Sequence, residues 1–219
     1  MRSTLIALLI LALVAAGNRP TACAGVIADT LPGYNPTFGA IVGNIGDGNQ
    51  YAEAAELTVG PGTSYTLDSI ILALGDATPP SVATVTLFAN GAGLPSGPSL
   101  ETLTAPVASQ IPVTDTTTFN SVSHPLLSAG SSYWIVLETG TSNVISWQDA
   151  AASTPGTSLT STDNGITWSS DPTFSAAYEV DGTATVNVVA EPSMFVLFSL
   201  ASGSVGVVLV RRKRIAVPS

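Results

Sequence analysis

Positive charge is missing from the body of this 219-residue chain, and this absence constrains its fold more than any other sequence feature. All fifteen Asp and Glu residues lie between Pro20 and Val210. The six basic residues lie outside that interval: Arg2, Arg19, Arg211, Arg212, Lys213 and Arg214. A domain in this interval forms no Lys or Arg salt bridge, so buried apolar side chains and hydrogen bonds must hold it together.

The same asymmetry excludes nucleic acid as a partner of the domain. Nucleic-acid binding needs Lys and Arg side chains that displace the counterions condensed on phosphates. The formal net charge of -9 makes divalent cations the natural counter-charge. The alternative is a surface that self-repulsion keeps soluble without any specific metal site.

The N-terminal segment has the parts of a secretory signal peptide. One basic residue precedes an apolar run over residues 5–16, and the small residues Ala22 and Ala24 flank Cys23. The run is too short to span a membrane stably. We predict a signal peptide over residues 1–24, cut by signal peptidase before Gly25. Lipid attachment to Cys23, the single cysteine, is the alternative.

The C-terminal segment predicts a membrane anchor. Residues 194–210 form an uncharged apolar run, which as a helix would be about 25 Å long and close to the lower limit for a membrane span. The four basic residues Arg211, Arg212, Lys213 and Arg214 follow at once, and the positive-inside rule places them in the cytoplasm. We therefore predict a linker and sorting motif over 184–193, a transmembrane helix over 194–210 and a basic cytoplasmic end over 211–219.

Glu191, Pro192 and Ser193 stand just before this short glycine-containing run and its basic end. This order resembles the PEP-CTERM sorting tail, which an exosortase, a membrane-embedded transpeptidase, recognises. Ala190 stands where the usual Pro-Glu-Pro pattern has its first proline. The resemblance implies cleavage near Glu191-Pro192-Ser193 and transfer to the cell surface or extracellular matrix.

Residues 25–183 predict an all-β domain. Short β-rich runs separated by Gly, Pro, Asn, Asp and Ser recur through this acidic region, and helical periodicity is nearly absent. The clearest runs are residues 67–74, 81–90, 133–138 and 174–180. The run YWIVLE at 133–138 is apolar on both faces, which predicts a central strand covered on both sides. We predict a single antiparallel β-sandwich of jelly-roll type.

Three turn–strand junctions resemble a bacterial domain class called choice-of-anchor R. They read TLFANGAGLPSG, PLLSAGSSYWIVLE and STDNGITW, and the similarity spans roughly residues 50–183. Members are exported domains joined to various C-terminal anchors. The resemblance implies a fold and a location outside the membrane, and it implies no activity.

Ser161, Asp163, Gly165 and Trp168 follow the spacing S-x-D-x-G-x-x-W. This spacing is similar to the Asp-box of sialidases and related β-propellers, in which Asp and Gly fix a hairpin turn and Trp packs beneath it. The similarity implies a structural hairpin. A sialidase also needs arginines for its substrate's carboxylate, and the domain has none.

Few residues of the sequence could form a catalytic site. His124 is the only histidine, so a Ser-His-Asp triad would have to use it with Ser121, Ser123 or a distant serine. No G-x-S-x-G motif accompanies it. Paired carboxylates about 5–10 Å apart suffice for glycoside hydrolysis, and so many acidic residues leave that alternative open. We predict no catalytic residues.

One loop and two tryptophans suggest binding. Asp47, Asn49 and Glu53 form an oxygen-rich stretch that could hold Ca²⁺, with an ordinary solvated loop as the alternative. Trp147 and Trp168 would form a glycan platform if both were exposed, and core packing is the alternative. No other metal or cofactor is expected, because His and Cys are too few for a zinc site.

The sequence as a whole predicts a non-enzymatic protein of the cell surface or extracellular matrix. Its tail would sort it, and it would contribute structure or adhesion in an exopolysaccharide-rich envelope. The expected partners are signal peptidase, an exosortase-type transpeptidase, the membrane and exopolysaccharide. A carbohydrate-binding module and a glycoside hydrolase using paired carboxylates are the two alternatives.

Overall fold

The computed structural model describes residues 23–75, 82–104, 115–140, 144–151 and 156–185. Several predictions fall outside these ranges: the signal peptide up to Ala22, the motif Glu191-Pro192-Ser193, the apolar run 194–210 and the basic end 211–219. Within the ranges the chain forms β-strands and no helix. Accordingly, these residues contain no helix that could cross a membrane.

Thirteen strands follow one another in the described chain. They are β1 (Ala24–Asp29), β2 (Asn35–Gly43), β3 (Ala52–Thr58), β4 (Ser64–Gly75), β5 (Ala83–Ala89), β6 (Ser99–Thr104), β7 (Asp115–Asn120), β8 (Leu126–Leu127), β9 (Ser132–Thr139), β10 (Val144–Asp149), β11 (Ser158–Ser161), β12 (Ser169–Ser170) and β13 (Tyr178–Thr185).

The strands form two antiparallel sheets, so the prediction of an all-β antiparallel fold is confirmed. Sheet A has the order β1-β13-β4-β10-β2, with β7 and β8 also paired with β4. Sheet B has the order β12-β11-β3-β9-β5-β6. Every pair of these strands is antiparallel.

The main hydrophobic core takes side chains from both sheets. Inward-pointing residues alternate along the strands, as period-two patterning requires. Its largest fully buried aliphatic and aromatic members include Leu57, Leu67, Ile70, Leu72, Leu74, Leu87, Phe119, Leu127, Ile135, Leu137 and Trp147. With no Lys or Arg in the interval, this burial is the main stabilising term.

Strand β9 has both faces buried, as the run YWIVLE predicts. It lies between β3 and β5 in the middle of sheet B. Ile135 and Leu137 belong to the main core, whereas Trp134 and Val136 belong to a second cluster on the opposite face of the sheet. Apolar side chains therefore cover both faces of β9, the main core on one face and the second cluster on the other.

The last strand extends to Thr185, past the predicted domain boundary at residue 183. Ala184 and Thr185 continue the pairing with β4, opposite Tyr65 and Ser64. The Thr185 hydroxyl donates a hydrogen bond of 2.9 Å to the Ser64 carbonyl. At the other end β1 begins at Ala24, which pairs with β13. The first residues of the predicted linker thus belong to sheet A.

Candidate functional site

The S-x-D-x-G-x-x-W segment connects β11 and β12, which pair as a hairpin. Asp163 Oδ1 accepts hydrogen bonds of 2.8 Å from the Ser161 hydroxyl and of 2.8 Å from the Thr167 amide. The Thr167 hydroxyl donates to Oδ2 at 2.7 Å. The Thr167 hydroxyl and amide and the Ser161 hydroxyl together lower the pKa of Asp163 to about 2. The carboxylate is therefore occupied in closing its own loop.

The turn of this hairpin requires its Asn-Gly pair. Asn164 has φ 58° and Gly165 has φ 79°, both in the left-handed region that a hairpin of this kind uses. A Cβ added to Gly165 would lie 3.0 Å from Glu138 Oε1 and 3.4 Å from the Trp168 ring. Ser161 Oγ also accepts a hydrogen bond of 2.8 Å from the Gly165 amide. The four residues of the motif thus fix a loop and position Trp168.

Trp168 packs onto a cluster on the outer face of sheet B. We call this surface the aromatic face, and its members are Ala54, Phe88, Trp134, Val136, Leu159 and Trp168. Phe88 lies directly opposite Trp134 in the pairing of β5 with β9. Trp134 is 1% exposed, and its indole nitrogen donates to Asn90 Oδ1 at 3.3 Å. Phe88 and Trp168 are half-buried and form the accessible part of the patch.

Carboxylates and hydroxyls border the aromatic face. Glu56 pairs with Trp134 across β3 and β9, and Glu138 follows Val136 on the same side of β9. Partial burial raises the pKa of Glu138. Thr86 and Thr102 share a hydrogen bond of 3.3 Å between their hydroxyls. Ring surfaces beside oxygen acceptors can stack on the apolar side of a sugar and bind its hydroxyls.

The predicted platform of Trp147 and Trp168 is wrong. Trp147 is 0% exposed, because β10 turns it into the main core, where its ring meets Phe174 edge-on at 6.0 Å between centroids. Its indole nitrogen donates to the Ala177 carbonyl at 3.0 Å. Phe88 is the aromatic neighbour that sequence reasoning missed. The signal was present, since Phe88 falls on the strand face opposite Val85 and Leu87.

The core-facing side of sheet B changes from apolar to polar towards β12. Along one row of the register Leu137 is followed by Glu53 and then Thr160. Along the next row, Ile135 is followed by Ala55, Ser158 and Asp171. The Asp171 amide donates a hydrogen bond of 3.0 Å to the Ser158 carbonyl. We call Glu53, Ser158, Thr160 and Asp171 the polar corner.

Two oxygens of the polar corner are buried without a hydrogen-bond partner in the described part of the chain, Glu53 Oε2 and Ser158 Oγ. Both residues are 3% exposed. The other Glu53 oxygen, Oε1, accepts a hydrogen bond of 2.8 Å from the Thr160 hydroxyl. Desolvation raises the pKa of Glu53 to about 8, and the negative charge of Asp171 adds to this.

The predicted Ca²⁺ loop of Asp47, Asn49 and Glu53 is not assembled. Asp47 Oδ1 accepts from the Asn49 amide at 3.0 Å, and Oδ2 accepts from the Asn49 side chain at 2.9 Å and from the Tyr51 hydroxyl at 2.8 Å. Strand β3 begins at Ala52 and carries Glu53 into the interior instead. Across the ranges that the structure covers, no three His, Cys, Asp or Glu side chains are grouped to hold a metal.

The candidate Ser-His pairs are not formed either. The Ser121 hydroxyl donates to Glu101 Oε2 at 2.6 Å and accepts from the His124 amide at 3.0 Å. The Ser123 amide donates to Glu101 Oε1 at 3.0 Å. The imidazole Nδ1 of His124 lies 2.8 Å from the Leu67 carbonyl oxygen. Each group thus holds the turn between β7 and β8.

Several carboxylates meet on the outer face of sheet A. Asp29 on β1 lies opposite Glu179 on β13, and Asp181 follows Glu179 on the same face. Partial desolvation and the negative charges of Asp181 and Asp29 raise the pKa of Glu179. The Ser69 hydroxyl donates to Asp181 Oδ2 at 3.1 Å. These groups repel one another on an open sheet surface.

No protein-family model and no curated protein matches the chain. The resemblances to the sorting tail, the choice-of-anchor class and the Asp-box stay predictions that rest on the residues quoted for them. Function must therefore be inferred from the charge distribution of the chain, the aromatic face and the polar corner.

Proposed function

We propose that the chain is an exported envelope protein whose β-sandwich domain, of jelly-roll type, has a structural or adhesive role without catalysis. In this proposal a signal peptide directs export, and the C-terminal tail anchors the domain outside the membrane. The observation that carries it is the confinement of all Lys and Arg to positions beside the two apolar end segments. Exosortase-type processing near Glu191-Pro192-Ser193 would then move the protein to the cell surface.

The bonding of the candidate reactive groups supports a non-enzymatic role. Ser121, Glu101 and His124 hold one turn, and Asp163 closes another. The Ser121 hydroxyl donates to Glu101 Oε2 rather than to the imidazole, and Glu101 Oε1 also accepts from the Val122 and Ser123 amides, so this carboxylate holds the turn. These contacts favour a domain whose polar residues stabilise loops.

Mass spectrometry of the mature C-terminus tests the sorting proposal. Protein recovered from wild-type cells should end before Met194, and protein from exosortase-deficient cells should keep Arg211 to Arg214. Glu191→Ala should block processing, whereas Asn187→Ala, outside the motif, should not. An intact basic end in both kinds of cell would refute the proposal.

Carbohydrate binding is the second candidate function, and the aromatic face is the observation that favours it. Phe88 and Trp168 present partly exposed rings on a broad sheet surface, next to Glu56 and Glu138. The domain offers no Lys or Arg to bind an acidic sugar, so the ligand class that fits is a neutral polysaccharide.

Affinity electrophoresis in gels that contain neutral polysaccharides, with a glycan array as a first screen, tests this second candidate. Trp168→Ala and Phe88→Ala should each weaken binding by about tenfold, the effect of losing one stacking contact. Ile166→Ala is the matched control, because Ile166 is 80% exposed on the same hairpin. Wild-type protein that binds no glycan, or variants that bind like wild type, would exclude this function for the aromatic face.

A further inference from the structure

Two buried oxygens of the polar corner have no hydrogen-bond partner among the described residues. Buried polar atoms in folded proteins almost always have a hydrogen-bond partner, and an unpaired one destabilises the fold. Glu53 Oε2 and Ser158 Oγ are such atoms, on neighbouring strands and on the same face of sheet B. The two residues are diagonal neighbours in the register, about 7–8 Å apart. Their oxygens therefore lie in the same region of the core-facing side of sheet B.

Within the described residues, no Lys or Arg side chain can supply the positive charge that this region lacks. The interval from Pro20 to Val210 has no Lys or Arg, and the only histidine, His124, bonds to the Leu67 carbonyl on sheet A. Asp171 brings a second carboxylate, whose charge acts on Glu53. A buried carboxylate beside a second negative charge needs a proton or a cation from solvent.

The oxygen donors of the polar corner suit a hard cation. Asp171 Oδ1 accepts from the Thr173 amide and hydroxyl at 2.9 and 2.6 Å, which leaves Oδ2 for another partner. Ser158 lines a cavity of about 290 Å³ whose lining includes Glu56 but neither Glu53 nor Asp171, so this cavity can bring water to the site on its Ser158 side.

We propose that the polar corner is a Ca²⁺ site, in which Glu53 Oε2, Ser158 Oγ and the Asp171 carboxylate bind the ion and water supplies the other ligands. All the protein donors are hard oxygen atoms, which favour Ca²⁺ over the softer metals that need His or Cys. Ca²⁺ also tolerates the irregular geometry that donors from three different strands and loops impose. The ion would neutralise the corner and tie β12 to β11 and β3.

Binding displaces a proton from Glu53 wherever that carboxyl is protonated. The products are a Ca²⁺-bound carboxylate and one free proton, so the apparent affinity should rise with pH up to about 8, by at most about tenfold per unit. A cation that binds only exposed carboxylates would show no such dependence above pH 6, because those groups are already ionised there.

Thermal unfolding of the full-length chain, purified in detergent, tests the site. At pH 8, CaCl₂ at about 100 times its Kd should raise the unfolding midpoint of wild type by about 5 °C or more over the value in EDTA. Glu53→Gln should lose the shift. Glu138→Gln should keep it, because Glu138 lies on β9 of the same sheet, faces the aromatic face and does not line the cavity beside Ser158.

Each outcome decides the proposal. A shift that disappears in Glu53→Gln and shrinks in Ser158→Ala and Asp171→Asn establishes the site, and the two latter variants serve if Glu53→Gln fails to fold. No shift in wild type means that the corner holds only a proton. A shift that persists in Glu53→Gln means that Ca²⁺ binds elsewhere. Either of the last two results overturns the proposal.

Discussion

Asp163 and Glu53 are two carboxylates beside the same short strand, β11, and they have opposite environments. Asp163 lies in the hairpin loop and accepts hydrogen bonds from Ser161 and Thr167, which lower its pKa to about 2. Glu53 lies in the interior with one hydrogen bond, from Thr160, and burial raises its pKa to about 8. Their charge states thus depend on neighbouring donors more than on the acidity of the residue itself.

The contrast shows two ways in which a domain without Lys or Arg stabilises its carboxyl groups. Where amide and hydroxyl donors surround a carboxylate, as at Asp163, they replace the missing cations. Where donors run out, as at Glu53, a proton or an external cation must balance the charge. Donors within the hairpin therefore compensate the charge of Asp163, whereas the polar corner needs a proton or a cation from solvent.

The largest expected effect is the pH dependence of stability that Glu53 imposes. Its folded pKa lies above its ordinary value of 4.5, so the folded state keeps a proton that the unfolded chain releases, and stability falls as pH rises from 4.5 to about 8. In EDTA, the wild-type unfolding midpoint should drop by about 5 °C or more between pH 5 and pH 8. Glu53→Gln should flatten this slope, as scanning calorimetry would show.

Glu56→Gln is the control for that experiment, because it removes a carboxylate from the outer face of the same strand. Its pH profile should match that of wild type. If Glu53→Gln kept the full slope, the proposed contrast between Glu53 and Asp163 would be wrong for Glu53.

Gly165→Ala should have the next largest effect. The left-handed backbone at this position and the 3.0 Å approach of a Cβ to Glu138 Oε1 should destabilise the fold by about 1–2 kcal/mol. Urea unfolding measures this loss. Gly60→Ala provides a matched comparison, since a Cβ at Gly60 meets nothing within 4 Å. Equal stability of the two variants would show that the hairpin turn is not specified by Gly165.

Asp163→Asn should have the smallest effect, and its pH dependence should run opposite to that of Glu53. The folded pKa of Asp163 lies below its ordinary value of 3.8, so its contribution is present above about pH 4 and disappears as pH falls through 2. The variant should therefore unfold at a lower temperature than wild type at pH 5, and the difference should shrink by pH 2. A difference that stayed constant with pH would contradict the assigned role of the ionised carboxylate.

Sequence reasoning found what is local in the chain. The spacing from Ser161 to Trp168 predicts its hairpin turn, and the apolar runs at 67–74 and 133–138 predict β4 and β9. At 174–180 the structure starts β13 only at Tyr178, although Phe174 and Ala176 still pack in the core. Pairing of Ala176 with Asp149 takes that stretch away from β4.

The sequence does not predict the polar corner, because its residues are far apart along the chain. Only the register of β3 with β11, and the continuation of β12, brings Glu53, Ser158 and Asp171 to one place. Proximity in sequence instead suggested a loop with Asp47. Trp147 illustrates the same limit, since Ile145 two residues earlier indicates one common face but not which face is buried.

The most direct measurement is an NMR titration of the carboxyl carbons of Glu53 and Asp163 in the full-length chain. The prediction is a midpoint of about 8 for Glu53 and of about 2 for Asp163, with Ca²⁺ lowering only that of Glu53. A Glu53 midpoint near 4.5 that ignores Ca²⁺ would contradict both the buried environment of this carboxyl and the site inferred from it.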